Sequence, residues 1–390
     1  MVPTPSPRDV LVREGDRTLL PALTTAHSHA FQRAMRGRAQ RRAGAESAPG
    51  SFWSWRAAMY ELSESLTPQS LHAIATVAFR ELYEAGVRTV GEFHYVHHQK
   101  GGHPYADRVL LADVVIRAAR ATGLRIALLR AVYARAGAGL ELEGPQRRFV
   151  DATPEHALAD VDLLRARFAG DPGVRVGLAP HSVRAVPPAW LPALRDHAAR
   201  HALPFHMHVA EQPREVTECV GETGRRPVEL LAEAGLLSPR FVAVHATHLT
   251  PNEVRLLGEA GAGVCLCPTT ERDLGDGLPN VSSLVEAGVW LSAGIDSHVL
   301  TDPLEDLREI ELHERLRTLR RAVLGGGGGQ SLAEWLWRVG SEGGDRALGF
   351  GEAAPCVELR RDHPSLSLVG DEVLLDAVVF GAPAAVLASV

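Results

Sequence analysis

Lysine is nearly missing from this 390-residue chain: of 41 lysine and arginine side chains, Lys100 is the single lysine. Unless Lys100 is well placed, that shortage excludes Schiff-base chemistry, a phosphate-loop lysine and a carboxylated lysine bridging two metals. Four cysteines in a chain of this length give no disulfide framework and point to a reducing compartment. There is no basic excess. A net charge of −6 leaves no footprint for nucleic acid and no polybasic patch for a membrane surface. No apolar run reaches transmembrane length, and Met1 to Pro7 lacks the charged and apolar regions of a signal peptide. The expected address is cytoplasmic. A composition of 45% hydrophobic and 23% charged residues is that of a globular protein with one large domain and a small one.

What is present is a repeated pattern. Eight apolar, strand-like runs, at about 19–26, 87–93, 124–131, 173–180, 203–209, 241–246, 262–267 and 288–295, alternate with amphipathic segments. Several of those segments open on helix-start signals such as Thr67-Pro68, Thr153-Pro154-Glu155 and Thr250-Pro251-Asn252-Glu253. Eight alternations predict a (β/α)8 barrel over residues 20–320. A doubly wound open sheet is the competitor, but no glycine-rich dinucleotide turn follows the first run. Beyond it lie a glycine connector at 325–329 and a helix from Ser331 to Val339. The alternation of Val373 to Val379 predicts strands, so that residues 1–19 and 345–390 would form a small β-element.

In such a barrel the chemistry sits where strands end. The first run ends in His27 and His29, two apart and therefore on one face. The second runs into Glu92, His94 and Tyr95, and the fourth into His181 with Arg184 just beyond. The fifth holds His206 and His208, followed by Glu211. The sixth ends in His245, and the eighth in Asp296. His27, His29, His208 and Asp296 supply three imidazoles and a carboxylate, a donor set for one divalent metal, zinc first among the candidates. His206 is the rival to His208, and Asp296 could instead cap a helix.

A metal so held lowers the pKa of water towards neutrality. Glu211, three residues after His208, is placed to deliver a proton to a leaving nitrogen. His245 is placed to hydrogen-bond the attacking oxygen or the tetrahedral intermediate. The plain alternatives are a surface carboxylate and a core histidine. Cys265 and Cys267 read as two small buried side chains. His94, His97, His98 and His103 read as a polar loop over the barrel mouth, and Trp53 and Trp55 as packing residues of a lid or loop.

His-x-His on the first strand, His-x-x-Glu on the fifth, His on the sixth and Asp on the eighth resemble the amidohydrolase superfamily in its mononuclear deaminase branch. Binuclear branches usually bridge their metals with a carboxylated lysine on the fourth strand, which here ends in His181. Three segments are more specific: His27 to Met35, Phe52 to Tyr60 and His208 to Gln212 resemble formimidoylglutamate deiminases, as do Ala179 to Arg184 and Cys267 to Gly277. The resemblance spans roughly residues 20 to 320. It implies hydrolysis of N-formimino-L-glutamate to N-formyl-L-glutamate and ammonia, in histidine degradation, by a homodimer. His27, His29, His208 and Asp296 would hold zinc, and Glu211, His245 and Asp296 would move protons. Gln32, Arg56, Tyr95, His181 and Arg184 would bind the small dicarboxylate substrate. Two arginines near a barrel mouth suit two carboxylates, because a guanidinium is planar, always charged and bidentate. A related deaminase acting on another acidic amidine, or a non-catalytic metal-binding descendant, are the competing readings.

Overall fold

The computed structural model describes residues 10–40, 51–142, 144–325, 331–351 and 355–388. Twelve strands occur among them: Val12–Glu14 (β1), Arg17–Pro21 (β2), Leu23–Ser28 (β3), Val87–His94 (β4), Arg125–Val132 (β5), Val174–Pro180 (β6), Phe205–Val209 (β7), Phe241–His245 (β8), Gly263–Leu266 (β9), Trp290–Ala293 (β10), Cys356–Leu359 (β11) and Leu387–Ala388 (β12). Strands β3 to β10 pair in sequence order, each parallel to its neighbour. A helix precedes each return to the sheet. Strands covered on both faces read as unbroken apolar runs rather than as alternations, which is why the eight runs stand out in the sequence.

The two edges meet at the mouth. The Asp296 N–H donates to the His27 carbonyl at 3.0 Å, and the His29 N–H donates to the Asp296 carbonyl at 2.9 Å. Deeper in, the Ile295 N–H reaches Thr25 Oγ1 at 2.8 Å. The seam that closes the (β/α)8 barrel is therefore also what aligns the first and last candidate site residues. Gly294 makes the close approach possible, since a Cβ there would lie 2.8 Å from the His27 Cβ and about 3 Å from the buried Cys267 and Cys265 thiols.

Several segments differ from the sequence reading. The first run, 19–26, is two strands rather than one. Residues to Pro21 belong to an antiparallel sheet ordered β1-β2-β11-β12, and the barrel begins only at Leu23. Between them the Ala22 N–H turns to the Pro355 carbonyl at 2.8 Å. Both halves are buried, so the run carries no mark of the change of sheet. The alternation at 373–379 is not strand: Leu374–Gly381 is a helix burying Leu374, Leu375, Val378 and Val379. Those positions form one helical stripe as well as they form an alternation. The segment holding Trp53 and Trp55 is the helix Phe52–Ser65, opened by a capping box between Ser51 and Ser54. Of the glycine connector, residues 326–329 lie outside the described residues. Among the described residues, no helix is long and apolar enough to cross a membrane.

Candidate active site

Strand β3 delivers His27 and His29 to the mouth, and β7 delivers His208. Their three Nε2 atoms converge: His27 to His29 is 3.2 Å and His27 to His208 is 3.2 Å. His29 turns its Nδ1 to the Phe93 carbonyl at 2.8 Å, and His208 turns its own to the His181 carbonyl at 2.9 Å. A carbonyl only accepts, so both Nδ1 atoms carry the proton and both Nε2 atoms present lone pairs to the same point. His27 Nδ1 has no partner among the described residues, so its Nε2 is free to join the other two in presenting a lone pair to a cation. Asp296 Oδ1 joins them, 3.5 Å from the Nε2 of His27 and 3.4 Å from that of His29. The donor set of three neutral imidazoles and a carboxylate fits one divalent metal. Burial keeps all three rings neutral, pushing His29 down to about 3 and His27 and His208 below their ordinary value. His206, the rival on β7, instead bonds the Ala347 carbonyl at 2.8 Å, away from the other imidazoles.

Around this point stand the groups that can move protons. His245 Nε2 is 3.8 Å from Glu211 Oε1 and 3.7 Å from Asp296 Oδ2. Burial pulls the His245 imidazole down, but Glu211, Glu271 and Asp296 together hold it well above its ordinary value. Burial pushes Glu211 up to about 7, against the pull of His245. A carboxyl group poised there can both give and take a proton near neutrality. Below the site, Glu92 accepts from the Ala30 N–H and the Ser28 hydroxyl, both at 2.8 Å, and burial pushes it up to about 8. The backbone at this rim is strained. Ala210, His245, Ala246, Asp296 and His298 all have φ between +50° and +68°, a left-handed conformation that non-glycine residues adopt at a cost.

Of the residues expected to hold metal, move protons or bind substrate, all but His27, which is fully buried beneath, line one cleft with ≈ 690 Å³ of empty space. Gln32 donates to the Tyr95 hydroxyl at 2.8 Å, and His181 stands beside His208 with ring centroids 4.9 Å apart. Arg56, from the helix Phe52–Ser65, lies over the Trp53 ring at 4.6 Å. Arg184 is tied to the Ala136 carbonyl at 3.0 Å. Of the histidines read as a polar loop over the mouth, His94 is the last residue of β4 itself. His94 and His97 are buried, and His97 Nε2 bonds the Ala131 carbonyl at 2.9 Å while His98 Nε2 bonds that of Val150 at 2.9 Å. The His97 and His98 rings fasten the loop to β5 and to the segment that follows it, and among the four only His103 is exposed.

Sequence reasoning missed Glu271. Its Oε1 accepts from His245 Nδ1 at 3.1 Å and from the Cys267 N–H at 2.8 Å. It sits in the first turn of the helix Pro268–Leu274, where a glutamate reads as a dipole-complementing end residue. Asp276 was missed too. It receives Gln212 Nε2, and burial pushes it up to about 9.

A model of the amidohydrolase family matches residues 18–356. The chain belongs to that family. As an amidohydrolase it is a hydrolase acting on carbon–nitrogen bonds, in a metal-dependent family. It is 38% identical over 371 residues to formimidoylglutamate deiminase of Pseudomonas aeruginosa, covering 93% of this chain and 80% of that one. It is 31% identical to 8-oxoguanine deaminase of the same organism, covering 86% and 72%. A crystal structure of an amidohydrolase from Brucella melitensis superposes with a TM-score of 0.86 at 35% identity, covering 95% of this chain and 84% of its own.

Proposed function

We propose that this amidohydrolase hydrolyses N-formimino-L-glutamate to N-formyl-L-glutamate and ammonia, as a step of histidine degradation. The observation that carries the reading is one cleft with convergent imidazoles and acids at one end and Arg56 and Arg184 within reach of the other. Its similarity to the Pseudomonas deiminase supports the same substrate. In this reading the barrel is the catalytic unit and the terminal sheet its support, and the enzyme works as a cytoplasmic homodimer. The buried free thiols of Cys219, Cys265 and Cys267 agree with a reducing compartment.

His27, His29, His208 and Asp296 would hold the metal, zinc by preference, which when bound makes water a competent nucleophile near neutral pH. The remaining work falls to side chains. Arg56 and Arg184 bind the two carboxylates, while Gln32, Tyr95 and His181 fix the chain between them. Glu211 gives a proton to the terminal imino nitrogen as the water oxygen bonds to the formimino carbon and Asp296 takes the proton released. His245, its Nδ1–H held by Glu271, steadies that oxygen through Nε2. The hydroxyl proton then passes by way of the same acids to nitrogen, the carbon–nitrogen bond breaks, and a formyl carbonyl and ammonia result. An amidine carbon is a weak electrophile until its nitrogen is protonated, so acid and nucleophile are needed together.

The test is a substrate panel run on zinc-loaded protein: N-formimino-L-glutamate, N-guanyl-L-glutamate and formamidines without carboxylates. The reading expects kcat/KM for formiminoglutamate to exceed that for the uncharged formamidines by about 10³ or more, since two charge-assisted carboxylate contacts are at stake. Comparable values across the panel would overturn it.

A further inference from the structure

At the far side of the cleft stand two tyrosines that no part of the mechanism uses. Tyr133 lies one ring beyond His181, their centroids 5.0 Å apart, and His181 in turn lies 4.9 Å from His208. Tyr60, on the helix Phe52–Ser65, brings its hydroxyl to 3.3 Å from that of Tyr133. Behind both, fully buried, is Gln146, whose Nε2 donates to the Tyr60 hydroxyl at 3.1 Å and to the Tyr133 hydroxyl at 2.9 Å. Arg184 Nη1 approaches the Tyr133 oxygen from the other side at 3.5 Å. The guanidinium carbon of Arg56 lies 5.3 Å over the Tyr60 ring.

The protons can be counted. Each phenol brings one proton and can accept two hydrogen bonds. Gln146 directs its amide protons at both oxygens, and Arg184 adds another at Tyr133. Only one phenolic proton can lie between the two oxygens. The other has no acceptor among the described residues, and it belongs to a hydroxyl that lines the cleft. An O–H donor left over in a buried pocket, flanked by two guanidinium groups, is a site for an anion. Burial, with Tyr133 close by, raises Tyr60 above its ordinary value, so the hydroxyl remains a donor.

We infer that Tyr60 and Tyr133, aligned by Gln146, form with Arg184 a subsite for the distal carboxylate of the substrate, Arg56 serving the other carboxylate, and so select a dicarboxylic amidine over its mono-acid counterpart. The inference rests on the reading of the substrate as an acidic amidine. Its dimensions agree: standard bond lengths put the distal carboxylate carbon roughly 6 Å from the formimino carbon in an extended chain. That span carries the carboxylate from the imidazoles past His181 towards the tyrosine pair. Gln146 is a positioning residue here, acting only through the direction in which it turns the two phenolic protons.

The experiment compares wild-type, Tyr60→Phe/Tyr133→Phe and Gln146→Glu enzymes on N-formimino-L-glutamate and on N-formimino-L-glutamine, in which the distal carboxylate is an amide. Losing a hydrogen bond to a charged group should raise KM for the diacid in the Phe variants by about tenfold or more. KM for the amide should move little, so the preference for the diacid shrinks by the same factor. Gln146→Glu supplies an acceptor that turns both phenolic protons inward, and should erase the same preference while both rings remain. Equal losses on the two substrates, or an unchanged preference in the double Phe variant, overturn the inference. Glutarate, which has both carboxylates and no amidine, separates this from the substrate reading. Calorimetry should show it binding wild-type protein and binding the double Phe variant about tenfold more weakly, even if formiminoglutamate is not turned over. No binding to wild type, or equal binding to both, also overturns it.

Discussion

His245 Nδ1 donates to Glu271 Oε1 at 3.1 Å, and that same oxygen accepts the Cys267 N–H at 2.8 Å. The histidine at the end of β8 is thereby held by a carboxylate that is itself pinned to the end of β9. With Nδ1 committed, only Nε2 faces Glu211 and Asp296. The relation resembles the way a buried carboxylate fixes the tautomer of a catalytic histidine.

Glu271→Ala strips His245 Nδ1 and the Cys267 N–H of their acceptor, and kcat should fall by about 10² with KM little changed. Glu271→Gln keeps an acceptor oxygen and removes the charge that helps hold His245 above its ordinary value. His245 then loses its proton at lower pH. The alkaline limb of the kcat profile should shift towards acid in Glu271→Gln, and steady-state rates from pH 6 to 10 will show it. An unmoved limb would count against the pairing.

Glu211→Gln should lose about 10² to 10⁴ in kcat, the range for removing a positioned acid–base group. None of the metal-type donors is touched, so bound metal measured by atomic emission should stay at the wild-type level. Full turnover in this variant would remove Glu211 from the mechanism.

Arg184→Lys keeps a positive charge and gives up the planar fork. It should cost roughly 10- to 100-fold in kcat/KM on formiminoglutamate, mostly through KM. A loss confined to kcat would place Arg184 elsewhere in the reaction.

Glu92 gives a stability prediction. Burial pushes it up to about 8 in the folded chain from an ordinary 4.5. Between those values the folded state binds a proton that the unfolded state does not, so this group's contribution to stability falls as pH rises across that window. Glu92→Gln cannot titrate. The difference in Tm between wild type and variant should therefore move in favour of the variant from pH 5 to pH 8.5, by a free energy of about 2–4 kcal/mol at most. Parallel Tm curves for the two proteins would contradict the assignment.

Much of this was legible in the sequence, and each exception has its own cause. The pair His27 and His29 is a local pattern whose geometry follows from strand periodicity, and Glu211 follows His208 closely enough in the chain to be read with it, although the turn at Ala210 that brings it in lies beyond the strand. The barrel follows from eight buried runs. Glu271 was not legible because a glutamate in a helix's first turn has an ordinary explanation already. Tyr60, Tyr133 and Gln146 come from three separate segments, and nothing local marks their meeting. The break at Ala22 is silent because both flanking strands are buried. Leu374 to Val379 fits two periods at once, and packing against the helices Pro303–Thr318 and Leu332–Arg338 decides for helix.

The most direct test of the account is ammonia release from N-formimino-L-glutamate as zinc is added back to metal-stripped protein. One site built from His27, His29, His208 and Asp296 predicts activity that rises linearly and levels off at about one equivalent of zinc per chain. A plateau at two equivalents, or no ammonia at any loading, would contradict it.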